Sequence, residues 1–167
     1  MTKEVKRNYL EIKSLEDLNQ GSKPSDKYFL NLLDPINFQL NKFFYKNIGN
    51  KHKWMDRLIW TEEQWINYVS SKNVKTYILK HKEDLVGFFE LIYHQEKNEV
   101  ELAYLGILEE YHNKKLGSYL LSEAIKESFK NKINRVWVHT CTLDHKNALN
   151  NYMTRGMKIF KTEIINI

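Results

Sequence analysis

Residues 104–125 read YLGILEEYHNKKLGSYLLSEAI. The strand that opens this run, residues 99–108, is apolar on both parities from Leu102 onward, as a central strand covered on both faces must be. Leu116, Leu120, Leu121, Ala124, Ile125 and Phe129 then fall on one face of a helix. Between them lies a loop that places His112, Asn113, Lys114 and Lys115 just before the helix, with Gly117 and Ser118 in its first turn. Free N–H groups and the positive end of the dipole make a helix start favourable for phosphate. Lysines there oppose the dipole, and a bound anion removes the conflict. A solvated basic loop balanced by Glu109 and Glu110 satisfies the same pattern, so spacing alone leaves both readings open.

Outward from this segment the patterning alternates between period two and helical spacing. Residues 75–80 and 85–94 read as strands joined by a turn at 82–84, 135–142 as a further strand, and 157–165 as the last. Nearer the N-terminus come a strand around 9–12, a polar loop or short turn over 14–23, and a strand at 28–33. Asp34 followed by Pro35 predicts a helix start that carries Ile36, Leu40, Phe43 and Phe44, with Gly49 as its stop. Thr61 and Gln64 have capping-box spacing, which predicts a helix over 62–70. Asp144 is expected to cap another helix, of about ten residues, that Gly156 stops. This order predicts an α/β chain, of the α+β type, with a mixed sheet of about six to seven strands and helices on both sides.

The 167 residues suit a single domain spanning 1–167, with 1–26 as an N-terminal extension holding a short strand. A hydrophobic content of 42% excludes a disordered tail. No apolar run reaches the roughly 18 residues of a membrane span, so no membrane partner is expected. The charged start MTKEVKRNYLEI is unlike a secretory signal, and the single cysteine, Cys141, fits a reducing cytoplasm. A net charge of +5 points to a negatively charged partner, whether phosphorylated cofactor, nucleic acid or anionic lipid. The six histidines are scattered without metal-ligand spacing, so no metal is expected.

The run at 104–125 resembles the acyl-CoA-binding motif of the GNAT superfamily of N-acetyltransferases, Q/R-x-x-G-x-G/A after a buried strand. His112 takes the Q/R place, Lys115 the first glycine and Gly117 the final small residue. Residues 148–157, ALNNYMTRGM, resemble the superfamily's later A-x-x-L-Y-x-x-x-G-F signature, with Tyr152 and Gly156 in place and Met157 for the aromatic. Together with WTEEQW at 60–65 and VHTCTLDH at 138–145, these are similar to one bacterial branch of the superfamily. The resemblance covers about residues 27–165. It departs from the motif at His112 and at Lys115, which brings a side chain and a charge where the family has glycine.

The resemblance implies a GNAT-like fold with a V-shaped splay beside the strand at 99–108. It implies acetyl-CoA as co-substrate and a primary amine of a small molecule or peptide terminus as acceptor, joined by direct transfer in a ternary complex. The coenzyme would meet the backbone of Leu105, Ile107 and Leu108, the loop from His112 through Asn113, Lys114, Lys115, Leu116 and Gly117 to Ser118, and Asn147. Tyr152 would be the acid near the sulfur, the alternative being a structural phenol. Glu101 stands where the family often carries an acid. Glu90 shares a strand face with Val86, Phe88 and Ile92, and burial would raise its pKa toward that of a general base. Structural ion pairs account equally well for either glutamate, and His139 is a third option. Trp54, Asp56 and Trp60 precede the helix at 62–70, where the fold builds its acceptor side, and could hold a cationic amine.

Other readings stay open at this point. The altered glycine motif permits a coenzyme-binding or regulatory module that does no catalysis. Nucleic-acid binding has less support, because acids are interspersed with the bases and no helix-turn-helix, RNP or zinc pattern occurs. The terminal strand could also pair across a homodimer.

Overall fold

Phe88 and Phe89 are adjacent and both wholly buried, yet they belong to different hydrophobic clusters. Successive residues of a strand point to opposite faces, so the sheet that contains them is covered on both sides. The computed structural model describes residues 2–167. Its strands are β1 (Glu4–Ile12), β2 (Tyr28–Leu32), β3 (Val74–His81), β4 (Asp84–His94), β5 (Glu99–Ile107), β6 (Arg135–Cys141) and β7 (Lys158–Asn166). They form one mixed sheet in the order β2-β3-β4-β5-β6-β1-β7. The helices are α1 (Phe38–Gly49), α2 (Glu62–Ser70), α3 (Leu116–Ser128) and α4 (Ala148–Thr154).

On one face α1 sets Phe44 and Ile48 against Ile78 and Phe88, with the Phe44 and Phe88 rings stacked 5.0 Å apart. On the other, α3 buries Leu116, Leu120, Leu121 and Ile125 against Leu79, Phe89 and Leu102. Each such side chain contributes about 1.5–3 kcal/mol by leaving water. The apolar stripe expected of α3 is the one that is buried.

Every neighbouring pair of strands is antiparallel except β5 and β6, which are parallel. That parallel pairing runs only from Glu99↔Arg135 to Glu101↔Trp137. Beyond it both strands continue unpaired to each other, so they open into the expected V. The β4–β5 register shifts between Glu90 and Leu91, which face Tyr104 and Leu102, and so leaves Ala103 without a counterpart. Such a bulge bends and twists its strand, and here it falls where the two strands part.

Three local expectations are corrected. The helix predicted from Asp34-Pro35 begins at Phe38 instead, because Asn37 supplies the cap, its side chain accepting from the Gln39 amide at 3.1 Å, and residues 34–37 stay irregular. Asp144 caps no helix: α4 starts four residues later with Asn147 at its N-cap. The N-terminal strand is longer than the pattern around 9–12 predicts and lies inside the sheet, paired with both β6 and β7. Gly156 does stop α4. Its φ of +109° is one that side chains rarely adopt, and a Cβ there would collide with the Asp17 carbonyl. The capping box at Thr61 and Gln64 is formed, with reciprocal bonds of 2.8 and 3.2 Å. Among the described residues no helix is long and apolar enough to cross a membrane.

Candidate active site

The opening between β5 and β6 is the floor of a cleft of about 940 Å³. Hydrogen bonding along β5 explains what the floor offers. The Leu108 amide donates to the Val86 carbonyl at 2.8 Å, so Leu108, Gly106 and Tyr104 turn their backbone groups toward β4. Leu105 and Ile107 therefore turn theirs toward the splay. The Ile107 carbonyl accepts from His112 Nε2 at 2.8 Å, which requires that nitrogen to carry the proton. The Leu105 N–H and C=O have no strand opposite them. Leu108, expected among the coenzyme contacts, is excluded by the same alternation: its amide is used within the sheet and its side chain packs in the α1 cluster.

One end of the cleft is the start of α3. Lys115 is its N-cap in the left-handed region, with φ +60°, and no side chain caps the helix. The first amides are thus left to a ligand, at the positive end of the dipole. Gly117 faces Asn151 of α4, and a Cβ there would come only to ordinary contact at 3.8 Å. Asn113, Lys115, Leu116, Gly117, Ser118 and Asn147 line this end, whereas Lys114 does not. The polar N-terminal loop closes the wall: Gly21 donates its amide to Ser122 Oγ at 2.8 Å and packs so closely on Ser118 that a Cβ would clash.

Tyr152 lines the cleft from α4. Its side chain is buried, and among the described residues nothing hydrogen-bonds its hydroxyl. Burial, and then Asp144, raise its pKa well above the ordinary phenol value, so the hydroxyl keeps its proton.

The opposite end is acidic and aromatic. Asp56 accepts the Tyr45 hydroxyl at 2.8 Å and the Tyr104 hydroxyl at 2.9 Å. Burial foremost pushes the Tyr45 phenol up to about 12. Trp54 lies 4.6 Å from the Tyr104 ring and donates its indole N–H to Asp144 at 3.4 Å. Asp144 in turn accepts from Thr140 Oγ1 at 2.6 Å and from the Cys141 amide at 2.9 Å. Both carboxylates line the cleft together with Trp54.

Besides Leu108 and Lys114, three more expected residues are not brought to the cleft. Trp60 packs instead on Trp65 and Tyr68. Glu90 is wholly buried, accepting from Arg57 at 2.9 and 3.2 Å, from Tyr68 at 2.8 Å and from Asn41 at 2.9 Å. Period two placed it correctly inside, but a carboxylate so paired has no opening toward an acceptor. Glu101 lies off the lining and pairs with His94 Nε2 at 2.9 Å.

His139 stands in the cleft that those glutamates do not reach. Its ring is exposed to the cleft, whose walls partly desolvate it. That desolvation, followed by the charge of Arg7, lowers its pKa below the ordinary 6.5, against the opposing pull of Glu101, Asp144 and Asp56. Three further histidines, His52, His112 and His145, come from three loops with ring separations of 6.0 and 5.3 Å. Among the described residues no group of three or more His, Cys, Asp or Glu is arranged to hold a metal ion. Sequence reasoning missed Arg7, Tyr104 and the cleft-facing role of Asp144. Each reaches the cleft through partners remote in the chain, Trp54 in the case of Asp144, and no local spacing marks them.

A model of the acetyltransferase (GNAT) family matches residues 35–157. No curated protein sequence matches the chain. Among solved structures, a GCN5-related N-acetyltransferase from Sphaerobacter thermophilus is similar with a TM-score of 0.76 and 11% identity, over 99% of this chain and 52% of that one. A GCN5-related N-acetyltransferase from Kribbella flavida gives 0.67 and 12%, over 96% and 56%. An aminoglycoside acetyltransferase, meta-AAC0020, from an uncultured soil metagenomic sample gives 0.64 and 13%, over 78% and 88%. At such identities the likeness is one of fold. The chain spans 52% and 56% of the length of the two GCN5-related proteins.

Proposed function

The chain belongs to the acetyltransferase (GNAT) family, and we propose that it is an acetyl-CoA-dependent N-acetyltransferase acting on a primary amine by direct transfer in a ternary complex. The observation that carries this reading is the splay. It leaves the Leu105 backbone without a strand partner, between an uncapped helix N-terminus at one end and a carboxylate-lined aromatic pocket at the other.

The residues present fit the coenzyme. The amides at the start of α3, with Asn113, Lys115 and Ser118, would hold its phosphates, and the backbone of Leu105 and Ile107 its pantetheine arm. Acetyl-CoA supplies the activated acetyl group when bound. The Asp56 carboxylate, stiffened by two phenols, holds the acceptor ammonium beside the Trp54 face. His139, neutral at pH 7, takes the proton that the ammonium must lose before its nitrogen can attack. The Leu105 N–H donates to the carbonyl oxygen as negative charge grows on it. The Tyr152 hydroxyl would give its proton to the sulfur as the carbon–sulfur bond breaks, and the second proton, which the nitrogen sheds on becoming an amide, would restore the phenol. This assigns the base to His139, with Glu90 and Glu101 in supporting ion pairs.

Thermal unfolding with acetyl-CoA, against NADH and ATP as phosphate-bearing controls, tests the coenzyme site. A ligand at 100 times its Kd adds about 2.7 kcal/mol, or roughly 5–10 °C for a chain of this size. Release of free thiol on adding amines then tests transfer. A selective shift without transfer to any amine would make the protein a coenzyme-binding module instead. No selective shift would remove the acetyl-CoA reading.

A further inference from the structure

Arg7 is a cation in the acceptor half of the cleft. It comes from β1, which lies on the far side of β6 from the Leu105 splay. In the β1–β6 register Arg7 faces Cys141 and Tyr9 faces His139, with the Tyr9 and His139 rings 5.6 Å apart. Arg7 and His139 are thus diagonal neighbours on one sheet face. The two ends of the acceptor pocket carry opposite charge: Asp56 and Asp144 beyond Trp54, and Arg7 across His139.

The guanidinium is incompletely paired. Its Nη1 lies 3.6 Å from Glu163 Oε1, beyond hydrogen-bond distance. That carboxylate is already committed to the Tyr9 hydroxyl at 2.6 Å, and Lys161 Nζ lies 3.6 Å from its other oxygen. The Arg7 Nε is buried and, among the described residues, has no hydrogen-bond partner. A buried N–H with no acceptor leaves the guanidinium short of partners, and Arg7 lines the cleft, where an anion on its outer nitrogens would complete its pairing. Guanidinium groups match carboxylates in charge and in planar geometry. A single cation that already has Glu163 nearby suits one negative charge better than the two of a phosphate.

Resting on the transferase reading, we infer that the acceptor is an amine that also bears a carboxylate, of the amino-acid or short-peptide type, and that Arg7 binds that carboxylate. The ammonium lies toward Asp56, the carboxylate lies at Arg7, and His139 stands between them to receive the proton. The proposal adds a specificity-determining residue and narrows the substrate class.

The test uses acetyl-CoA with matched pairs of acceptors: amino acids and dipeptides, their carboxamides, and aminoalkyl phosphates. The readouts are thiol release and the mass of the acetylated product. Wild-type protein is expected to favour the carboxylates over the carboxamides by roughly 10- to 100-fold in kcat/KM, the range of one charged hydrogen bond. Arg7→Met is expected to remove that preference through KM, with an unchanged melting temperature and acetyl-CoA shift. Arg7→Lys is expected to keep part of it. Equal use of carboxamides by the wild type, survival of the preference in Arg7→Met, or a stronger preference for the phosphates would overturn the inference while leaving the transferase reading intact. Acetyl-CoA binding without transfer to any amine would remove both.

Discussion

Arg57 Nη1 lies 2.9 Å from Glu90 Oε2, and the two side chains are 5% and 0% exposed. The guanidinium is ringed by Tyr45, Trp60, Trp65, Tyr68 and Tyr104, with its carbon 4.2–5.8 Å from their centroids. Burial by itself would lower its pKa, but Glu90, and then Tyr68 and Tyr104, raise it. The pair ties the irregular segment between α1 and α2 to β4. The Arg57 amide donates to the Tyr45 hydroxyl at 3.0 Å, and that hydroxyl donates to Asp56. A buried ion pair thereby sets a carboxylate that lines the cleft.

Removing one partner leaves the other charge buried and alone. Arg57→Ala is expected to destabilise the fold by about 3–5 kcal/mol, a fall in Tm on the order of 10 °C. The double variant Arg57→Met, Glu90→Leu is expected to lose less than the sum of the two single variants. Additive losses measured by denaturant unfolding would show that the two side chains are not coupled.

His139 makes activity depend on pH. Its pKa is lowered by desolvation and then by Arg7, so the neutral form predominates at pH values below the ordinary 6.5 as well as above. A base must be unprotonated to act. The rate should therefore fall only as pH drops through that lowered value, and it should be level near pH 7. His139→Gln is expected to abolish this acidic limb and to lower kcat by about 100-fold or more. An unchanged pH–rate profile in the variant would move the base elsewhere.

Tyr152→Phe removes the proton and keeps the ring. Transfer is expected to slow by roughly 100- to 10,000-fold, while the acetyl-CoA melting shift persists because the phenyl still packs against the core. The raised phenol pKa places any alkaline loss above pH 10 in the wild type. Loss of the coenzyme shift together with the activity would make Tyr152 a binding residue rather than the acid.

Lys115 holds a left-handed backbone that glycine adopts freely. Lys115→Gly is expected to stabilise the apo fold by about 1 kcal/mol and to weaken acetyl-CoA binding by removing a cation near the phosphates. Titrations at rising salt should show a shallower dependence in the variant. Tighter binding would mean that the lysine side chain obstructs the site.

Much of this could be read along the chain. The buried strand, the basic loop and the apolar stripe of α3 are local patterns, set by periods of two and 3.6 residues, and they point to the mixed sheet; the splay follows from the family resemblance. The start of α1 is ambiguous along the chain because Asp34 and Asn37 both have cap chemistry, and only the folded helix shows that Asn37 is the cap. Glu90 was read as buried, and it is. Whether a buried carboxylate acts or is neutralised depends on Arg57, 33 positions away, and nothing in the strand's own pattern specifies that partner. His139 and Arg7 share a face only because β1 inserts between β6 and β7. Periodicity determines which way a side chain points; strand order and packing determine what it meets, and Asp56, His139 and Arg7 come together in this cleft through such meetings.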